Sequence, residues 1–90
     1  MMMNSTDWKH ILWHKFRDEI SGAENYMDMA EEAEHMGKHH IAKWYKEMAK
    51  DEYTHAKFFR EMVKDDEMQP PEAMETWDAW HKMINRLKKF

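Results

Sequence analysis

The chain lacks cysteine altogether and has few residues that break helices, with two glycines and two prolines among 90 residues. Without cysteine it cannot form disulfides, thiolate metal sites or iron–sulfur clusters of its own. It also lacks any apolar run near the roughly 18 residues of a membrane span, so no membrane association is expected. Apolar residues make up 42% and charged residues 36%. This composition is typical of a soluble helical protein and not of a disordered or fibrous one.

Charge and length narrow the class of protein further. The formal net charge is −4, with acidic and basic residues interleaved, which disfavours nucleic-acid binding. Polar residues follow the three initial methionines at once, without an apolar signal segment, and we therefore expect a cytoplasmic protein. The length predicts a single domain, residues 1–90, whose small core needs a metal, a partner chain or both to be stable.

Turn signals divide the chain into three predicted helices, at about residues 6–36, 39–66 and 71–88. Gly37 is placed to end the first helix in a left-handed conformation, and Pro70 and Pro71 separate the second helix from the third. A single helix of some 60 residues stays open as an alternative, because the helical spacing of apolar residues continues across Gly37. Ordinary helix lengths favour the hairpin. The expected fold is all-α, an antiparallel helical hairpin plus a C-terminal helix.

The second predicted helix carries two ionisable residues on a stripe that is otherwise apolar. The members of the stripe alternate spacings of four and three residues, as on a core-facing helix surface: Ile41, Tyr45, Met48, Glu52, His55, Phe59 and Met62. Because burying an unpaired carboxylate is costly, such groups are kept in a core only when they are paired, hydrogen-bonded or metal-bound. Glu52 and His55 are therefore candidate site residues.

Glu19 lies on the apolar stripe of the first helix in the same way. It precedes Gly37 by 18 residues, while Glu52 and His55 follow Gly37 by 15 and 18. At a rise of about 1.5 Å per residue, the three side chains reach one height if the chain turns at Gly37. A hard divalent cation between the helices would take two carboxylates and one imidazole there, leaving positions open for water, dioxygen or peroxide.

Two tyrosines accompany these candidates. Tyr26 and Tyr45 each lie seven residues from a candidate ligand on the same helix face. Two interpretations stay open for them: they donate hydrogen bonds to the ligands or take part in redox chemistry, or they are core aromatics with a polar tip. A second Glu-x-x-His, formed by Glu32 and His35, flanks the apolar stripe and is predicted to lie on the surface.

The ordered series of residues around the candidates resembles one helical hairpin of the rubrerythrin and ferritin-like superfamily, over about residues 16–63. A lone Glu-x-x-His is a weak motif, whereas the whole series with its spacing is more specific. It consists of Glu19, Tyr26, Ala30, Gly37, Ile41, Ala42, Ala49, Glu52-Tyr53-Thr54-His55-Ala56 and Phe59. The resemblance implies that Glu19, Glu52 and His55 ligate a di-iron centre. Manganese and zinc are also chemically admissible with these ligands.

Ferritin-like bundles take a Glu from each of two helices and a Glu-x-x-His from each of the other two, so one hairpin holds half of that set. A two-fold axis would supply the other half and complete a four-helix bundle, which implies a homodimer or a higher homo-oligomer with two irons per dimer. Full ferritins and rubrerythrins carry all four helices in one chain, and the rubredoxin-type cysteines of rubrerythrins are missing here. Encapsulated ferritins are similar in layout, being short chains that build the centre between subunits. Their C-terminal cargo tail is not evident.

The function implied by this resemblance is iron binding with oxidation of Fe²⁺ by dioxygen or peroxide, as in a ferroxidase. Two alternatives stay open, namely peroxide reduction of the rubrerythrin kind and a non-catalytic helical interaction or assembly module. Any stored mineral would need a separate protein shell, and an electron-transfer partner also stays open.

Overall fold

Three α-helices account for most of the described chain. The computed structural model describes residues 5–64 and 73–90, with side chains described from residue 8 onward. The helices are α1 (Ser5–His35), α2 (His39–Lys64) and α3 (Ala73–Lys88). The described residues contain no strand, which confirms the all-α prediction. The predicted end of the second helix, the two prolines and the predicted start of the third lie outside the described residues. None of the described helices is both long enough and apolar enough to cross a membrane.

Gly37 turns the chain between α1 and α2. Its φ of 72° is left-handed, a conformation that glycine adopts without steric cost. The Lys38 amide donates to the Ala33 carbonyl at 2.8 Å and the Gly37 amide donates to the Glu34 carbonyl at 3.0 Å. Together these two bonds form a Schellman motif, which ends a helix by satisfying its last carbonyls. The hairpin prediction is therefore confirmed, and the single long helix is excluded.

Alanines line the contact between α1 and α2. On α2 the buried residues recur every seven positions, at Ala42, Ala49, Ala56 and Val63. Opposite them, Ala23 and Ala30 of α1 are fully buried as well. Because the spacing of two packed helices depends on the side chains between them, one-carbon side chains let the two backbones approach closely. Polar side chains that flank this alanine seam can therefore reach one another across it.

The α2 stripe predicted to face the core is buried only in part, since Tyr45, Glu52 and Phe59 are half-buried and the other four members are exposed. Ile41, Met48 and Met62 are 47%, 43% and 49% exposed, while the buried line lies one residue further along the chain. The physical reason is the alanine seam. Only a narrow strip of α2 fits against α1 at close approach, so the bulkier stripe beside it is displaced to the flank.

Helix α3 covers one side of the hairpin with aromatic rings. Trp77 meets the buried Trp13 edge-on, with 5.6 Å between ring centroids, and Trp80 lies 5.5 Å from Phe16. Trp80 also stacks on Tyr53 of α2 at 5.7 Å, so α3 contacts both helices of the hairpin. These large rings bury apolar area that a hairpin alone would expose.

Ion pairs of one α3 arginine also hold α3 against α1. The Arg86 guanidinium donates to Glu24 at 3.1 Å and to Asp28 at 2.5 Å, and lies 3.2 Å from Glu31. The three acidic residues follow one another at about one turn of α1, so a single forked cation reaches all of them.

None of the described residues covers the opposite side of the hairpin. We call it the open face, and its residues recur every seven positions: Trp8, Lys15, Gly22 and Met29 on α1, Met36 just after α1, and Ile41, Met48, His55 and Met62 on α2. Gly22 lies nine residues after Trp13, which is half a turn around α1, so the open face points away from α3. Its large apolar side chains are all at least 43% exposed.

Because the alanine seam sets the spacing of the helices, enlarging it should loosen the hairpin. We expect Ala49→Leu to lower the free energy of unfolding by about 1 to 3 kcal/mol, the usual cost of overpacking a filled core. Urea denaturation followed by circular dichroism measures this loss. Lys43→Leu, at an exposed position of the same helix, is the control and should change stability by no more than about 0.5 kcal/mol. Equal effects of the two variants would contradict the role given to the seam.

Candidate metal centre

The structure brings the three predicted ligands together across the alanine seam. The Nδ1 atom of His55 lies 3.5 Å from Oε2 of Glu19 and 4.0 Å from Oε1 of Glu52. One ligand atom from each residue can be chosen so that all lie within 4.8 Å of one another. Ligand atoms that share an ion at about 2.0 to 2.3 Å lie no farther apart than about twice that distance. The three side chains therefore stand nearly at the spacing of a common cation.

The centre sits at the edge of the core and not inside it. The side chains of Glu19 and Glu52 are 24% and 25% exposed, and that of His55 is 55% exposed. The apolar stripe predicted fuller burial of Glu52 and His55, because a core-facing stripe would place both in the core. In the structure, the three ligand groups lie beside the contact between α1 and α2, at the border of the open face. No fourth histidine or carboxylate joins this group among the described residues.

One carboxylate oxygen of the centre is suited to hold a cation. Oε2 of Glu19 is buried and has no hydrogen-bond partner among the described residues. A buried acceptor without a partner costs free energy comparable to a lost hydrogen bond. A cation held by this oxygen together with Glu52 and His55 would satisfy it. Two carboxylates and an imidazole are the donor set that iron, manganese and zinc accept, so the residues fit the metal that the sequence analysis predicted.

The two carboxyl groups disturb each other when no metal is present. The pKa of Glu52 is raised from 4.5 to about 7, first by its side-chain hydrogen bond to Glu19, then by burial and by repulsion from the Glu19 charge. The charge of His55 opposes this rise in pKa. Near neutral pH the pair therefore holds a proton that a bound cation would displace.

Gly22 belongs to the centre and was missed by the sequence analysis. The Glu52 carboxylate lies against α1 at this glycine, because a Cβ built on Gly22 would stand 2.9 Å from Oε2 of Glu52. Gly22 follows Glu19 by three residues, so it shares the helix face of that ligand. A signal was present in the sequence, since a glycine inside a helix costs about 1 kcal/mol relative to alanine and needs a reason.

The structure pairs the two predicted tyrosines with each other. Tyr26 and Tyr45 stack across the hairpin with 6.2 Å between ring centroids, and both rings are partly buried. Their role beside the ligands stays a prediction. The second Glu-x-x-His is exposed at both Glu32 and His35, as its position beside the apolar stripe predicted.

Comparison with known proteins adds the family. The family model described as Rubrerythrin matches residues 10–88. The chain belongs to the rubrerythrin family. Rubrerythrins are part of the ferritin-like superfamily, whose members bind iron, and the resemblance read from the sequence is thereby confirmed. The match to the rubrerythrin family runs past the hairpin and includes the whole of α3. No curated protein and no solved structure matches the chain.

The raised pKa of Glu52 predicts how the metal-free rubrerythrin-family chain responds to pH. The folded state holds this proton up to about pH 7, whereas the unfolded state releases it near 4.5. Between these values the folded state binds more protons than the unfolded state, so stability falls as pH rises. Glu52→Gln keeps the neutral shape and cannot ionise, so its melting temperature should fall less over this interval. Thermal melting of both metal-free proteins from pH 4.5 to 8 measures the difference, and parallel curves would contradict the assignment.

Proposed function

We propose that this rubrerythrin-family protein binds Fe²⁺ between two subunits through Glu19, Glu52 and His55 and oxidises it with dioxygen or peroxide. The observation that carries the proposal is the buried Oε2 of Glu19, which has no hydrogen-bond partner among the described residues and lies 3.5 Å from the His55 imidazole, beside a second carboxylate. That arrangement is unfavourable in a metal-free core and favourable around a cation.

The chemistry of the donor set suits iron oxidation. Carboxylates bind either oxidation state of iron and stabilise Fe³⁺ more than Fe²⁺, because the added charge strengthens their attraction. Two Fe²⁺ ions oxidised together supply the two electrons that reduce dioxygen to hydrogen peroxide, or peroxide to water. Neutral His55 would orient an ion without adding charge. The Glu52 proton leaves when the cation binds, so binding should be weaker in acid.

The open face supports a homodimer as the functional unit. It surrounds the candidate ligands with exposed apolar side chains on both helices, an arrangement that is costly in water and common at subunit interfaces. A two-fold axis through this face would place two identical sets of ligands opposite each other and bury both copies of the face. The second copy would also supply ligands for the coordination positions that one chain leaves free.

Two exposed aromatic residues outside the open face favour a second candidate function. Trp44 and Phe58 of α2 are 71% and 65% exposed. Such residues are enriched where proteins meet, so a helical assembly module is the alternative. Metal analysis separates the two functions, because a module without metal chemistry would bind no iron tightly.

The proposed function predicts about one tightly bound Fe²⁺ per chain, or two per dimer. Anaerobic titration of metal-free protein with Fe²⁺, followed by calorimetry, measures the number bound. Glu52→Ala should abolish tight binding, because it removes one of three ligands. Glu47→Ala is the matched control on the same helix, since Glu47 is exposed and pairs with Lys50. A wild-type protein that binds no Fe²⁺ would refute the proposal.

The oxidant is tested on the same loaded protein. After rapid mixing with dioxygen or with hydrogen peroxide, Fe²⁺ bound to the wild-type protein should be oxidised faster than Fe²⁺ mixed with the Glu52→Ala variant. Faster oxidation by dioxygen supports a ferroxidase. A response to peroxide alone supports the rubrerythrin-like alternative, in which peroxide is the substrate.

The homodimer is tested on the open face itself. We expect Met48→Lys to yield monomers, because the new charge would have to be buried in the interface. Analytical ultracentrifugation measures the change in mass. Met74→Lys is the control, since Met74 is 76% exposed on α3, away from the open face, and the protein should stay dimeric. A dimer that survives Met48→Lys with unchanged affinity would show that the open face is not the interface.

A further inference from the structure

We propose that Gly22 is a positioning residue, which by lacking a side chain lets the Glu52 carboxylate lie across α1 beside Glu19. The inference deepens the proposed function and rests on it, because it names the group that sets the place of one metal ligand. It concerns a residue that binds no metal itself.

The geometry around Gly22 is tight on one side. A Cβ there would stand 2.9 Å from Oε2, 3.3 Å from Cδ and 3.5 Å from Cγ of Glu52. All three nearest atoms belong to this one side chain. Ordinary van der Waals contact begins at about 3.4 Å, so the Glu52 carboxylate occupies the space that a side chain at position 22 would need.

A glycine is otherwise a poor choice at this position. Gly22 lies in the interior of α1, where glycine is the least favourable residue after proline. Its φ is not positive, unlike that of Gly37, so the backbone does not require it. The contact with Glu52 is the structural reason for Gly22 that the described residues provide.

The consequence of adding a Cβ differs between the fold and the site. The Glu52 carboxylate is the far end of a flexible side chain, so it can swing aside at little cost to the fold. To restore ordinary contact it must move by at least about 0.5 Å. Binding sites need their groups within about 0.5 Å of the productive geometry, so the same movement should disturb the metal centre. Alanine at position 22 is therefore expected to stabilise the metal-free chain and to weaken metal binding.

The experiment compares Gly22→Ala with the wild type in two measurements. Thermal melting of the metal-free protein should show a rise of about 4 to 8 °C, the effect of removing an interior helical glycine in a domain of this size. Anaerobic Fe²⁺ titration should show an affinity about 10- to 100-fold weaker, as for other residues that hold a ligand in place. A crystal structure of the metal-free variant should show the Glu52 carboxylate displaced.

Two control variants keep the inference falsifiable. Ser21→Ala also improves helix propensity but lies at an exposed neighbouring position, so it should leave the Fe²⁺ affinity unchanged. Glu52→Asp shortens the side chain by one methylene and so withdraws the carboxylate from Gly22. In that background, Gly22→Ala should lower the Fe²⁺ affinity much less than it does in the wild type. Wild-type affinity in Gly22→Ala, or an equal loss in Ser21→Ala, would overturn the inference and leave the metal site standing. Absence of Fe²⁺ binding by the wild type would instead refute the proposed function, whatever the variants do.

Discussion

The close approach of α1 and α2 along their alanine seam is the constraint on which the rest of the structure depends. Because alanines fill most of this contact, side chains that flank the seam reach across it. Glu19 of α1 meets Glu52 and His55 of α2 in this way. The same closeness leaves no room for bulky residues, which are displaced to the two sides of the hairpin. One geometric fact thus produces both the candidate centre and the apolar surfaces around it.

One side of the hairpin is covered by α3 and the other is exposed. On one side the rings of α3 cover Trp13 and Phe16, and Arg86 ties that helix to acidic residues of α1. On the other side the methionines of the open face stay exposed, with the candidate ligands among them. Since α3 occupies the first side, the second side is where we propose that a second copy of the chain packs. The placement of α3 thereby supports a metal centre shared between subunits.

The features that suit the candidate centre to a metal lower the stability of the metal-free chain. The hydrogen bond to Glu19 and burial raise the pKa of Glu52 to about 7, Oε2 of Glu19 is buried without a hydrogen-bond partner among the described residues, and Gly22 weakens α1. Each of these features is unfavourable in the metal-free protein. A cation would relieve the first two, and we propose that the third lets the Glu52 carboxylate lie where a cation would bind it. Such local conflicts with folding are expected at functional sites.

The sequence by itself determined the helical class, the turn at Gly37 and the meeting of Glu19, Glu52 and His55. Spacing, helical rise and a glycine at a helix end are local properties, which one chain carries without reference to its partners. Only the tertiary structure decided which line of α2 residues is buried. Ile41 and Ala42 are adjacent in the chain, and which of them packs against α1 depends on the side chains of α1 at that contact. It also revealed Gly22, whose contact with Glu52 joins residues 30 positions apart. Periodicity identifies an apolar face, whereas the distance between two helices selects the line within that face that is buried.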